Sequence, residues 1–250
     1  MSGRIHDLAR RFVPQRVRLA LLRLAGRPVT PPPGRVRFGD LRRTTPIAPD
    51  FGYARGGPVD RYYIEGFLAR HADDIRGRVL EIGDASYTHR FGGSRVTRSD
   101  VLHIDPEALG VTFVGDLADG SMLPDAAFDC IVLTQTLHLI FDHISALRTL
   151  QRILVPGGVL LLTVPGISNI ATDQWGATWH YSFSHHALRE ACDAVFGPGR
   201  AAIESHGNVL AAVAFLHGLG HEELTVAELD EQHVEYSIVN AARVVKAGGS

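Results

Sequence analysis

Between residues 79 and 165 the chain alternates two textures. Short runs dominated by Val, Ile and Leu fall at 79–83, 101–105, 111–115, 128–134 and 155–165. The 142–153 stretch instead repeats its apolar residues every three positions, at Ile144, Leu147, Leu150 and Ile153, the spacing of one helix face. Near-continuous apolar runs, rather than alternating ones, indicate parallel strands buried on both faces. Upstream, the 60–75 stretch sets Tyr63, Ile64, Phe67, Leu68 and Ile75 at amphipathic helical spacing. Downstream, the pattern predicts a helix over 184–196, a strand over 201–206, a helix over 208–219 and a last strand over 236–245. Strands alternating with helices in this way describe a doubly wound α/β sheet. Ligands of such sheets bind beyond the carboxyl ends of the strands, near the point where strand order reverses. No internal repeat is visible.

The first 45 residues have a different character. Helical spacing covers 3–12 and 14–25, with Pro14 placed as a first helical residue and Gly26 as a stop. The proline-rich "RPVTPPPGR" at 27–35 cannot continue a helix and reads as a linker. The expected organisation is therefore a basic helical extension with its linker over 1–45 and one α/β domain over 46–250. Eleven arginines against Asp7 and Asp40 make residues 1–43 carry +9, so the remainder carries −11 of the overall −2. A basic amphipathic helix can lie on an anionic membrane. Packing on the protein's own body or on a twin subunit needs no further assumption and is the reading adopted, which leaves a homodimer open.

With 250 residues, 45% of them hydrophobic, the chain can bury a full core. Its near-neutral balance does not indicate a nucleic-acid partner. Cys130 and Cys192 form no disulfide framework, no apolar stretch approaches the ~20 residues of a membrane span, and no signal peptide is evident, so a cytoplasmic location is expected.

Candidate chemistry gathers at the ends of the predicted strands. The first ends in Glu81-Ile82-Gly83, a strand meeting a glycine turn. The second ends in Asp105, 22 residues after Gly83, where an acid can accept hydrogen bonds from ribose hydroxyls. After the third, "GDLAD" puts Asp116 where an acceptor can meet an exocyclic amine. The fourth ends in Thr134-Gln135, and Pro156-Gly157-Gly158 makes a tight turn before the fifth.

In "VLEIG" (79–83), "VLHID" (101–105), "GDLADGSMLPDAAFDCIVLTQTLHLI" (115–140) and "LRTLQRILVPGGVLLLTVPG" (147–166) the chain resembles the class I S-adenosylmethionine-dependent methyltransferases. The likeness spans roughly residues 50–250. "FGYARGGPVDRYYIEGFL" (51–68) looks like the segment preceding the core in methyltransferases encoded beside glycosyltransferases and natural-product enzymes. The resemblance implies a Rossmann-like seven-stranded sheet, mostly parallel with an antiparallel last strand, and S-adenosyl-L-methionine as cofactor. It implies that Gly83 lets the backbone approach the methionine part and that Glu81 orients the loop or meets the amino group. Asp105 would bind the ribose diol, Asp116 with Leu117 would read adenine, and the carbonyl near Thr134-Gln135 would face the sulfonium. Where the family's loop reads E-x-G-x-G-x-G, Ala85 and Tyr87 replace the second and third glycines. That departure makes a usual first helix doubtful and calls for compensation at the methionine carboxylate, for which Arg55 and Tyr63 are the candidates.

Methyl transfer from a sulfonium is an in-line displacement in which the protein chiefly aligns the reactants. A hydroxyl acceptor profits from a base, and two histidines fall at suitable places. His138 follows the fourth strand, and His180 lies among Trp175, Trp179 and Tyr181 after the fifth, where an aromatic wall suits a sugar or another natural product. The alternatives are a helix-capping His138 and core tryptophans. No metal site is expected, because Gly218 and Gly220 interrupt the His217-x-x-x-His221 pair. The 206–236 stretch can cover the acceptor pocket or form a dimer face. The competing functional readings are an NAD-dependent oxidoreductase, against which the missing G-x-G-x-x-G counts, and a non-catalytic relative that binds the cofactor or a partner protein.

Overall fold

The computed structural model describes residues 30–248 together with Val17 and Leu24. The helices expected over 3–12 and 14–25 otherwise lie outside the described residues. The chain divides into two compact units, Met1–Thr44 and Thr45–Ser250. Described residues of the first include a turn closed by the Arg35 N–H on the Pro32 carbonyl at 3.0 Å and a 3-10 turn at Gly39–Leu41.

The second unit is built on seven strands: β1 (Gly77–Ile82), β2 (Val96–His103), β3 (Phe113–Val114), β4 (Phe128–Thr134), β5 (Leu154–Pro165), β6 (Ala201–His206) and β7 (Val239–Val245). They form one sheet in the order β3-β2-β1-β4-β5-β7-β6. The pairs from β3 through β5 are parallel, and β7 runs antiparallel to both β5 and β6. Among the described residues five α-helices accompany them: α1 (Val59–Arg70), α2 (His143–Ile153), α3 (His185–Phe196), α4 (Val209–Leu216) and α5 (Val226–Asp230). No described helix is long and apolar enough to cross a membrane.

Successive strand residues point to opposite faces, and here both faces are covered. Leu80, Ile131, Leu133, Leu160 and Leu162 pack with Leu147 and Leu150 of α2 and Leu188 and Phe196 of α3. Val79, Cys130, Val132 and Leu161 pack with Ile64, Phe67 and Leu68 of α1 and Phe215 of α4. Each such side chain taken out of water contributes roughly 1.5–3 kcal/mol, which is why the central strands tolerate almost no polar residue. Helix starts are fixed locally. Asp142 caps α2 by accepting from the Ser145 N–H at 3.0 Å, and Ser184 caps α3 by accepting from the Ala187 N–H at 3.2 Å.

Three expectations need adjustment. The third strand shrinks to Phe113–Val114, an edge pairing opposite Leu102 and His103. Pro156-Gly157-Gly158 lies within β5 as a bulge, with Gly157 at φ +80° and its N–H on the Lys246 carbonyl at 3.1 Å. The helix expected over 208–219 ends at Leu216, since Gly218 adopts φ +67° and a Cβ there would stand 1.9 Å from the Ala48 carbonyl oxygen.

Asn240 of β7 is fully buried and bonds three ways. Its Nδ2 donates to the Phe183 carbonyl at 2.8 Å and to Ser237 Oγ at 3.2 Å, while its Oδ1 accepts from Ser205 Oγ at 2.7 Å. Asn240→Ala strands those partners and is expected to destabilise the domain by about 2–3 kcal/mol. Denaturant unfolding checks this, and a loss below about 1 kcal/mol would show that water replaces the amide.

Candidate functional site

Strand order reverses between β1 and β4, and beyond their carboxyl ends opens a cavity of about 1160 Å³. Its floor begins at Gly83, which leaves β1 at φ +101° while its N–H stays on the Leu102 carbonyl at 3.0 Å. Left-handed backbone favours glycine, so this one position retains it. The chain then wraps into a short helical piece containing a π turn at Thr88–Gly92 in place of a regular first helix. Two acids close it. Asp84 accepts from the Ser86 N–H at 2.7 Å, and Glu81 accepts from the N–H groups of Tyr87 at 3.2 Å and Thr88 at 2.7 Å. Glu81 is only 3% exposed, and loss of water raises its carboxyl to about 7 despite those bonds.

The other strand-end residues divide. Asp116 lines the cavity with its carboxylate accepting from the Ala118 N–H at 2.8 Å, and the buried Leu117 lines it alongside. Thr134 and Gln135 line it at the end of β4. Gln135 sits at φ +46° with its N–H on the Thr163 carbonyl at 3.0 Å, a left-handed conformation that costs a non-glycine residue of order 1 kcal/mol or more. Asp105 lies in the turn after β2, one carboxylate oxygen accepting from the Glu107 N–H at 2.9 Å, and His103 and Ile104 line the wall next to it.

Arg55 and Tyr63 have partners elsewhere in the fold. Arg55 is held in a two-pronged pair with Glu223, at 2.7 and 2.6 Å, and Tyr63 is a core residue whose hydroxyl donates to the Leu229 carbonyl at 3.0 Å. Neither reaches the cavity wall. The first turn of α1 reaches it with residues that sequence reasoning passed over. Asp60 presents a carboxylate whose Oδ1 is buried without a partner among the described residues, and desolvation pushes its carboxyl up. Arg61 donates through Nη2 to the Tyr53 hydroxyl at 3.2 Å and makes no salt bridge among the described residues. An oppositely charged pair opening a helix was the available signal, but its direction depends on packing. Farther along, Glu65 and Arg90 pair at 2.8 Å on the same wall.

The opposite wall is aromatic. Trp179 stacks on Phe51 with centroids 6.3 Å apart, and His138 meets Trp179 edge-on at 4.3 Å. His138 is 1% exposed within a 3-10 turn, with neither ring nitrogen hydrogen-bonded among the described residues, and burial lowers its imidazole to about 4. Its carbonyl accepts from the N–H groups of His180 and Tyr181 at 3.1 and 3.3 Å. That places His180 on the same wall, solvent-exposed and edge-on to Phe141 at 5.4 Å. The structure thus brings Glu81, Gly83, Asp116, Leu117, Thr134, Gln135, His138 and His180 to one cavity. Among the described residues no cluster of His, Cys, Asp or Glu has the makings of a metal site.

Residues 50–194 match the model of a family described as a methyltransferase domain. Among solved structures, an S-adenosylmethionine-dependent methyltransferase from Archaeoglobus fulgidus is 13% identical, with a TM-score of 0.51 over 74% of this chain and 94% of that one. Phosphoethanolamine N-methyltransferase 2 of Haemonchus contortus, solved with S-adenosyl-L-methionine, is 15% identical, with a TM-score of 0.51 over 78% of this chain and 54% of that one. The (4+2)-cyclase SpnF is 16% identical, with a TM-score of 0.53 over 99% of this chain and 95% of that one. At such identities these likenesses speak for the fold alone. No curated protein matches the sequence.

The raised Glu81 carboxyl has a stability consequence. The folded protein keeps the proton up to about pH 7, whereas the unfolded chain releases it near 4.5. The folded state therefore binds more protons between those values, and stability falls as pH rises through that window. For the ligand-free protein the Glu81 contribution is of order 2–3 kcal/mol. Unfolding at pH 5 and pH 8 should show this loss in the wild type and a smaller one in Glu81→Gln; equal losses in both would remove Glu81 as its source.

Proposed function

The chain belongs to the methyltransferase domain family, and from that premise we propose that it methylates a hydroxyl of a small-molecule acceptor, a sugar or another natural product, using S-adenosyl-L-methionine. One observation carries this reading: a single cavity of about 1160 Å³ joins a polar, charged end built on β1 and α1 to an aromatic wall after β4 and β5. Such a cavity has room for a nucleoside donor and a drug-sized acceptor together.

The residues present fit the cofactor. Arg61, which makes no salt bridge among the described residues, would hold the carboxylate of the cofactor's amino-acid end, and Asp60, whose Oδ1 has no partner among them, would hold the ammonium. Gly83 lets the backbone come close, and Glu81 fixes the turn. Asp116 supplies an acceptor for the adenine amine, Leu117 an apolar face for the base, and the Thr134-Gln135 backbone a polar edge near the sulfonium. When bound, the cofactor supplies a methyl group on a good leaving sulfur.

The chain's own part is alignment, exclusion of water and management of one proton. Phe51 and Trp179 hold an apolar ring face of the acceptor. His138, neutral at physiological pH and with its ring nitrogens unpaired among the described residues, orients the acceptor hydroxyl and takes its proton as the oxygen is alkylated. His180, exposed on the same wall, contacts the acceptor and offers a route for that proton to solvent.

Calorimetric titration with S-adenosylhomocysteine should give micromolar binding, and NAD should give none. Arg61→Ala should weaken S-adenosylhomocysteine about tenfold to hundredfold, the range for a hydrogen bond to a charged group. An acceptor screen with a labelled methyl donor then identifies the substrate. On it, His138→Ala should lower kcat by roughly 10²–10⁴ with donor affinity retained. Tight NAD binding, or full turnover in His138→Ala, would overturn the corresponding assignment.

A further inference from the structure

His103 ends β2 and lines the cavity two residues before Asp105, the acid expected for the ribose. The Asp105 N–H bonds its Nδ1 at 2.9 Å. The Asp105 carbonyl oxygen lies 3.3 Å from the same Nδ1, but the shorter bond comes from an N–H that can only donate, so Nδ1 accepts and the ring proton resides on Nε2. The free edge of His103 is therefore a hydrogen-bond donor at the strand end beside which doubly wound folds hold a ribose.

Over this imidazole lies Trp175, edge-on with centroids 6.3 Å apart and an interplanar angle of 83°. Trp175 rides on the strap that joins β5 to α3. The strap is anchored at entry by the N–H groups of Gly166 and Ile167 on the Ile238 and Ser237 carbonyls, at 2.7 and 2.9 Å. At exit it is anchored by the His180 and Tyr181 N–H groups on His138 and by the Tyr181 hydroxyl on the Phe141 carbonyl at 2.9 Å. Between the anchors, residues 168–179 hydrogen-bond only to one another among the described residues. Gly176 shows how closely the strap folds on itself, since a Cβ there would stand 2.2 Å from the Ala171 carbonyl oxygen. Two indoles hold this compact piece against the body, Trp175 on His103 and Trp179 on Phe51 and His138.

We propose that His103 and Trp175 form a clamp on the nucleoside half of the donor, His103 Nε2–H donating to a ribose hydroxyl while the indole covers it. The proposal rests on the donor being S-adenosylmethionine. It gives the two tryptophans separate duties, Trp175 toward the donor and Trp179 toward the acceptor. Because Trp175 and Trp179 are the two tryptophans of the chain, each can be read alone by fluorescence.

Two probes test the clamp, S-adenosylhomocysteine and methylthioadenosine, the second lacking the amino-acid end. In Trp179→Phe, S-adenosylhomocysteine should shift the Trp175 emission, while in Trp175→Phe the Trp179 emission should move less. By calorimetry, His103→Ala and Trp175→Ala should each weaken both probes about fivefold to tenfold, whereas Arg61→Ala should weaken S-adenosylhomocysteine alone. If the wild type binds S-adenosylhomocysteine but Trp175 emission stays fixed and His103→Ala retains full affinity, the clamp is wrong and the donor assignment stands. If the wild type binds neither probe, donor assignment and clamp fall together.

Discussion

A sheet buried on both faces can do chemistry only at its strand ends, and the rest of this molecule follows from that constraint. Val79 and Leu80, or Cys130 and Ile131, are neighbours in sequence yet belong to opposite cores. A polar group between them would lose its water on either side. Glu81 is the instructive exception, because its carboxylate reaches past the end of β1 and takes the N–H groups of Tyr87 and Thr88. The acid that β1 admits is also the group that shapes the cavity floor.

This accounts for a loop spelled without its usual second and third glycines. The chain enters the left-handed region at Gly83 and then turns helical, so Ala85 and Tyr87 need no unusual backbone. Tyr87 packs toward Phe91 at 5.9 Å, filling space that a glycine loop leaves open. The buried carboxylate that caps the turn takes its proton near neutrality for the same reason that it caps well: little water competes for it.

The sheet was legible because its signals are local and dense. β4 and β6 have the bounds that their apolar runs and flanking turns predict. Strand ends were legible too, so residues such as Asp116 and Gln135 could be placed near one crevice before any fold was known. What escaped was side-chain direction outside the sheet. Arg55 is claimed by Glu223, 168 positions away, and Tyr63 by the Leu229 carbonyl, partners that only the folded chain brings near. Asp105 closes its own turn, which a strand-end acid in the sequence does not announce. Arg61 and His103 reach the cavity through helix phase and turn geometry, neither of which has a spacing signature.

The cavity brings charged side chains and aromatic ones together. Asp60, Arg61, Glu65, Glu81 and Arg90 line it, while Phe51, Trp179 and His138 pack together on its aromatic wall. On the proposed reading a sulfonium lies between them. A protonated imidazole 4 Å from that charge would be repelled by about 4 kcal/mol at an effective dielectric of 20. Burial holds His138 neutral well below physiological pH and so removes the conflict. It also weakens the imidazole as a base, which suits a group that orients a hydroxyl and accepts its proton only as the carbon–oxygen bond forms. The same desolvation that limits His138 as a free base is what lets it sit beside a cation at all.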